Sequence, residues 1–103
     1  MDKIRKYNFK RLMKMPNDGI ISVLDSLFRR LDDDKLRKIW HVESAKFVKS
    51  NDEICISWWD FEDLFSIIIT DTQITRIVET HHYGKKTDVI FVNPSTIKKA
   101  NHV

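Results

Sequence analysis

Residues 53–63 read Glu53-Ile54-Cys55-Ile56-Ser57-Trp58-Trp59-Asp60-Phe61-Glu62-Asp63. As far as Trp59 the side chains alternate with a period of two. Ile54, Ile56 and Trp58 share one face of an extended chain, and Cys55, Ser57 and Trp59 share the other, which is the pattern of a β-strand. The two indoles then run into Asp60, Glu62 and Asp63 with no basic residue nearby to neutralise them. Each Trp can bury on the order of 150–250 Å², so the segment reads as the edge of a core and a contact surface. Continued as an extended chain, it would put Asp60 and Glu62 on one face and Asp63 on the other.

Downstream, Leu64–Thr70, Ile74–His82 and Asp88–Val92 are further β-rich runs. Asp71-Thr72-Gln73 and the Gly-containing stretch Tyr83–Lys86 separate them as turns, and Asn93-Pro94-Ser95 stops the last strand. Connections this short imply antiparallel pairing. Upstream the period changes. Ile20, Leu24, Leu27, Phe28 and Leu31 recur at three- and four-residue spacing, which predicts a helix capped by Asn17 or Asp18 and opposed at its far end by Asp32-Asp33-Asp34. Ile4, Tyr7, Phe9, Leu12 and Met13 sit among basic residues and predict a short amphipathic helix that ends before Pro16. Residues 35–48 fit either a helix or a strand leading into a turn. The expected architecture is α+β: an antiparallel sheet of about four to five strands with N-terminal helices packed on one face.

One domain spanning 1–103 suits a chain of 103 residues. It divides into a helical part over about 1–35, a β-rich part over about 36–93 and a short tail, 94–103. A composition 42% hydrophobic and 32% charged, with two Gly and two Pro, supplies a core and excludes a disordered profile. Cys55 is the sole cysteine, which rules out an intramolecular disulfide and a Cys-rich zinc site and suits a reducing compartment such as cytoplasm. No apolar run reaches the roughly 18 residues of a membrane span, and the start lacks the apolar stretch of a signal peptide. The net charge of +3 is unevenly shared: residues 1–50 carry 13 basic and 7 acidic groups, residues 51–103 carry 5 and 8. Two faces of opposite potential, and self-association, are the expected result.

Three sets of side chains invite a chemical reading. His81-His82 is the only cluster of soft ligands. On a strand the two imidazoles would point to opposite faces, which argues against a metal site. With Arg76, Lys85 and Lys86 they could instead serve a metal-independent ribonuclease, although two His at a hairpin end are more often solvated turn residues. Asp60, Glu62 and Asp63 could hold Mg²⁺ or form a glycosidase pair; a solvated acidic edge accounts for them more simply. Lys3, Arg5, Lys6, Lys10 and Arg11, interleaved with Tyr7 and Phe9, have the make-up of a phosphate-contacting surface, and equally of the solvated face of a helix. No Gly-rich phosphate loop, G-x-S-x-G or H-E-x-x-H is present, and neither cofactor nor catalytic residue is expected.

The segment 52–63, its following β-rich run and Glu79-Thr80-His81-His82-Tyr83-Gly84-Lys85-Lys86 resemble the C-terminal half of a family of small anti-CRISPR proteins from rod-shaped viruses of archaea. The resemblance covers about a third of the chain, rests on the Trp-Trp-acid-Phe-acid run and the order of strands, and leaves the N-terminal half outside. It implies a non-enzymatic viral inhibitor, acting in the host cytoplasm as a homodimer, that binds a CRISPR effector complex of type III-B or type I-D. The contact surface expected of such an inhibitor is the acidic edge Asp60, Glu62 and Asp63, with Trp58 or Trp59, whichever is exposed, as its anchor. A small nucleic-acid-binding viral regulator is the second expectation and the ribonuclease the third.

Overall fold

The alternation at Ile54–Trp59 is a strand, and four more pair beside it. The computed structural model describes residues 6–28, 45–82 and 84–94. Its elements are α1 (Phe9–Met13), α2 (Asn17–Phe28), β1 (Lys46–Lys49), β2 (Ile54–Asp60), β3 (Asp63–Ile69), β4 (Gln73–Thr80) and β5 (Gly84–Val92). The strands form one antiparallel sheet in chain order, β1-β2-β3-β4-β5. This is the simplest topology that short connections allow. The α+β architecture and the five-stranded sheet agree with the sequence reading. Leu31 and residues 35–44 lie outside the described residues, as do the tail beyond Pro94 and Lys3 and Arg5; the strand alternative holds for Lys46–Lys49.

Both helices bury one stripe. In α2, Ile20, Leu24, Leu27 and Phe28 are buried, the spacing that a 3.6-residue period requires. In α1, Phe9 and Leu12 are buried, and Asn8 caps the helix by accepting the Arg11 amide at 3.1 Å. The expected cap of α2 is corrected. Asn17 is already helical, and the Ile20 amide donates to the Pro16 carbonyl. Asp18 therefore sits inside the first turn, where its charge favours the positive end of the helix.

These helices and Tyr7 share one core with the sheet residues Ile54, Ile56, Trp58, Ile67, Ile69 and Ile74. The pairing explains the selection: Ile56 lies opposite Ile67, Ile54 opposite Ile69, and Ile69 opposite Ile74, so one face of three strands is almost continuous isoleucine. Trp58 is 3% exposed and stacks on Phe65 with ring centroids 5.7 Å apart and planes 8° from parallel. It is a core residue, not a partner contact, because its parity is that of Ile54 and Ile56.

Two turns differ from expectation. The β4–β5 hairpin reverses between Thr80 and Gly84, which lie opposite each other, with His81 and His82 in the turn and Gly84 at φ +80. A glycine in the left-handed region closes such a three-residue loop, so Lys85 and Lys86 are strand residues rather than turn. Between β2 and β3 the reversal takes two residues, Phe61 and Glu62, with Asp60 directly opposite Asp63. The extended reading of 58–63 is thereby overturned. Asp60 and Asp63 share a face, and Glu62 belongs to the turn.

Candidate interaction site at the hairpin tip

The sheet has two ends. One carries the β2–β3 and β4–β5 turns; the other carries the β1–β2 and β3–β4 turns, where the Tyr7 hydroxyl donates to the Thr70 carbonyl and the Asn93 side-chain amide donates to the Tyr7 carbonyl. Alternate hairpin turns of an antiparallel meander necessarily share an end.

At the first end Phe61 is 97% exposed and adopts φ +56. Both features run against elementary chemistry. A bare phenyl ring in water forgoes most of the burial that its type normally gains, and a bulky L-residue in the left-handed region is strained by about 1–2 kcal/mol. A positive φ at the first position of a two-residue loop is the sign pattern of a II′ turn, where glycine is the usual occupant. The turn therefore holds the phenyl outward, away from the core. Around it stand Asp60 and Asp63, both half-buried, and Glu62, exposed. Trp59, 66% exposed, flanks the tip on the face opposite the helices, paired with Leu64. The result is an aromatic knob in an acidic collar.

Of the residues singled out in sequence, the structure brings Trp59, Asp60, Glu62 and Asp63 to this tip and removes Trp58 to the core. Phe61 is the residue that sequence reasoning missed. The available signal was an aromatic between carboxylates just where the alternation of apolar and polar side chains fails.

The second hairpin at this end presents His81 and His82, both exposed, their rings edge-on with centroids 5.0 Å apart. They lie in the turn, so the expected divergence to opposite faces is corrected. Among the described residues no three His, Cys, Asp or Glu side chains gather as a metal site. Arg76 is drawn towards Asp88 at 3.5 Å in the body of the sheet, several residues along the strand from the imidazoles. Lys85 and Lys86 alternate across β5, opposite Glu79 and Val78. Of the ribonuclease set, Arg76 is thus set back along the strand, while Lys85 and Lys86 follow the turn that carries the imidazoles. Lys6, Lys10, Arg11 and Lys14 are all exposed on and beside α1. No helix of the described residues is long and apolar enough to cross a membrane.

Comparison with protein-family models, curated proteins and solved structures gave no match.

Proposed function

We propose that this chain is a binding protein that acts by occupying a partner's surface, and that the β2–β3 tip is its contact. The observation that carries this reading is Phe61, almost fully exposed and held at positive φ inside a ring of carboxylates. Strained backbone and a solvated phenyl are costs without benefit to the isolated fold, and such costs concentrate where a ligand or partner offsets them. An aromatic anchor surrounded by charge matches the make-up of interface hot spots. The complementary partner surface is an apolar pocket rimmed by Lys or Arg.

The resemblance of residues 52–63 and 79–86 to viral anti-CRISPR proteins gives that partner an identity: a host CRISPR effector complex, of type III-B ahead of type I-D, inhibited stoichiometrically in the host cytoplasm. In this reading the protein works as a homodimer, without catalysis or cofactor. The test is co-purification of the tagged chain with each effector, with immunity measured in cells. Inhibition that saturates at a fixed ratio and is lost in Phe61→Asn supports the reading; no effect on any type I-D or type III system of a plausible host discards it.

A second reading rests on the exposed basic set Lys6, Lys10, Arg11 and Lys14, which would contact phosphates in a nucleic-acid-binding regulator. Its binding would weaken steeply with salt. The absence of any shift with DNA or RNA at low salt removes it.

A further inference from the structure

The two helices of the described residues pack on one face of the sheet, and the register of the strands maps the other. Val48, Cys55, Ile68, Thr75 and Val89 form one row across all five strands. Lys46, Ser57, Ser66, Ile77 and Thr87 form the next. Trp59, Leu64, Glu79 and Lys85 form the third. Val48 and Val89 are each about half exposed, and Trp59 more so, although all three are large apolar side chains.

From this face we infer that two copies of the chain pair sheet to sheet, with Ser66 near the two-fold axis and Ile68 beside it. The inference rests on the paired state in the proposed function and goes further by assigning its surface. Three observations favour a second copy as the occupant. First, among the described residues the charges on the face, Lys46, Glu53, Glu79 and Lys85, stand at its margins, and the centre is uncharged. A partner of either sign finds no counter-charge there, whereas a second uncharged sheet face does not need one. Second, the face is large enough: five strands about 4.8 Å apart and three rows of side chains span roughly 500 Å², so a pair would bury roughly 1,000 Å², about the lower bound for a specific interface. Third, edge pairing is the less suitable alternative. Both edge strands carry two lysines, Lys46 and Lys49 on β1 and Lys85 and Lys86 on β5, and lysines on an edge oppose strand addition. Sheets packed face to face interdigitate the side chains of their inner faces, and apart from Lys46 at the margin the first two rows consist of small or β-branched side chains. The β2–β3 tips project from the end of the sheet and stay free in both copies.

The experiment combines sedimentation or light scattering with labelling of the native Cys55 by a maleimide. A particle of twice the 12.3 kDa chain mass is expected, together with a Cys55 labelling rate that falls as protein concentration rises. Ser66→Lys and Val89→Lys should both yield monomers with an unchanged circular-dichroism spectrum, while Phe61→Asn should remain a dimer. Val89→Lys, on an exposed edge position, guards against a folding defect at the central site. A wild-type monomer at every concentration removes pairing, whether Cys55 reacts freely or is shielded by its own chain, and leaves effector binding to be judged separately. A dimer that survives both lysine variants and labels at a rate independent of concentration keeps pairing and overturns this surface.

Discussion

At the scale of single residues, the two adjacent indoles have opposite fates and should respond oppositely to truncation. Trp58 stacks on Phe65 inside the core, so Trp58→Ala should destabilise the fold by about 3–5 kcal/mol, the usual cost of removing a large buried aromatic. Trp59→Ala should alter stability by no more than about 0.5 kcal/mol, as expected at a largely exposed position; chemical denaturation of the two variants checks the contrast. Phe61 makes the sharper prediction. Asn tolerates the left-handed region far better than Phe, so Phe61→Asn should leave the melting temperature unchanged or raise it while abolishing partner binding. A fall in melting temperature would mean that Phe61 serves the fold. The period of two around Trp58 was fully legible in sequence, because Ile54 and Ile56 announce the buried parity. Phe61 was not: an aromatic following two tryptophans reads as more strand unless the pairing of Asp60 with Asp63 is known.

Among the elements, the segments flanking α1 and β5 are held by one polar knot. Asn93 is 1% exposed, and its side-chain amide donates to the carbonyls of Tyr7 at 2.9 Å and Asp71 at 3.0 Å. Its backbone amide donates to Thr72 at 2.8 Å, and the Tyr7 hydroxyl donates to Thr70 at 2.7 Å. Residues just before α1 and just after β5 are thus fastened to the β3–β4 turn. Burial, with a smaller contribution from the Asp71 carboxylate, pushes the Tyr7 phenol well above its ordinary value near 10. The sign follows directly. Above pH about 10 the unfolded chain releases this proton while the folded chain keeps it, so the unfolded state binds fewer protons and stability falls as pH rises. Tyr7→Phe should lose about 1 kcal/mol at neutral pH with the hydrogen bond, yet show a shallower decline between pH about 10 and 12 than wild type; urea titrations across that range decide it. The helix stripes and four of the five strands could be read from spacing. This knot could not, because a hydrogen bond spanning residues 7 and 93 leaves no local pattern.

On the scale of the whole molecule, charge and apolar surface are segregated, so one variable can address each surface separately. Lys49 donates to the carbonyls of Met13 and Met15, which fastens the α1 region, with Lys6, Lys10 and Arg11, beside the end of β1. Asp60, Glu62 and Asp63 crown the opposite end of the strands, while the sheet face away from the described helices carries charge only at its margins. The charge asymmetry was visible in sequence as a basic N-terminal half and an acidic middle; its arrangement along the strand axis required the register. If the acidic collar steers the tip onto a basic-rimmed pocket, the association rate should fall about tenfold or more as salt rises from 0.01 M to 1 M, where the screening length shrinks from about 30 Å to about 3 Å. Pairing through the uncharged face should be indifferent to sodium chloride and strengthened by sulfate, which favours burial of apolar surface. Stopped-flow association with the effector and sedimentation of the free protein, run over the same salt series, test both halves of the prediction. A common response would contradict it: if pairing weakened with salt as the association rate does, charge would be holding the two copies together, and the tips or the edges would have to replace the open face as the place where they meet.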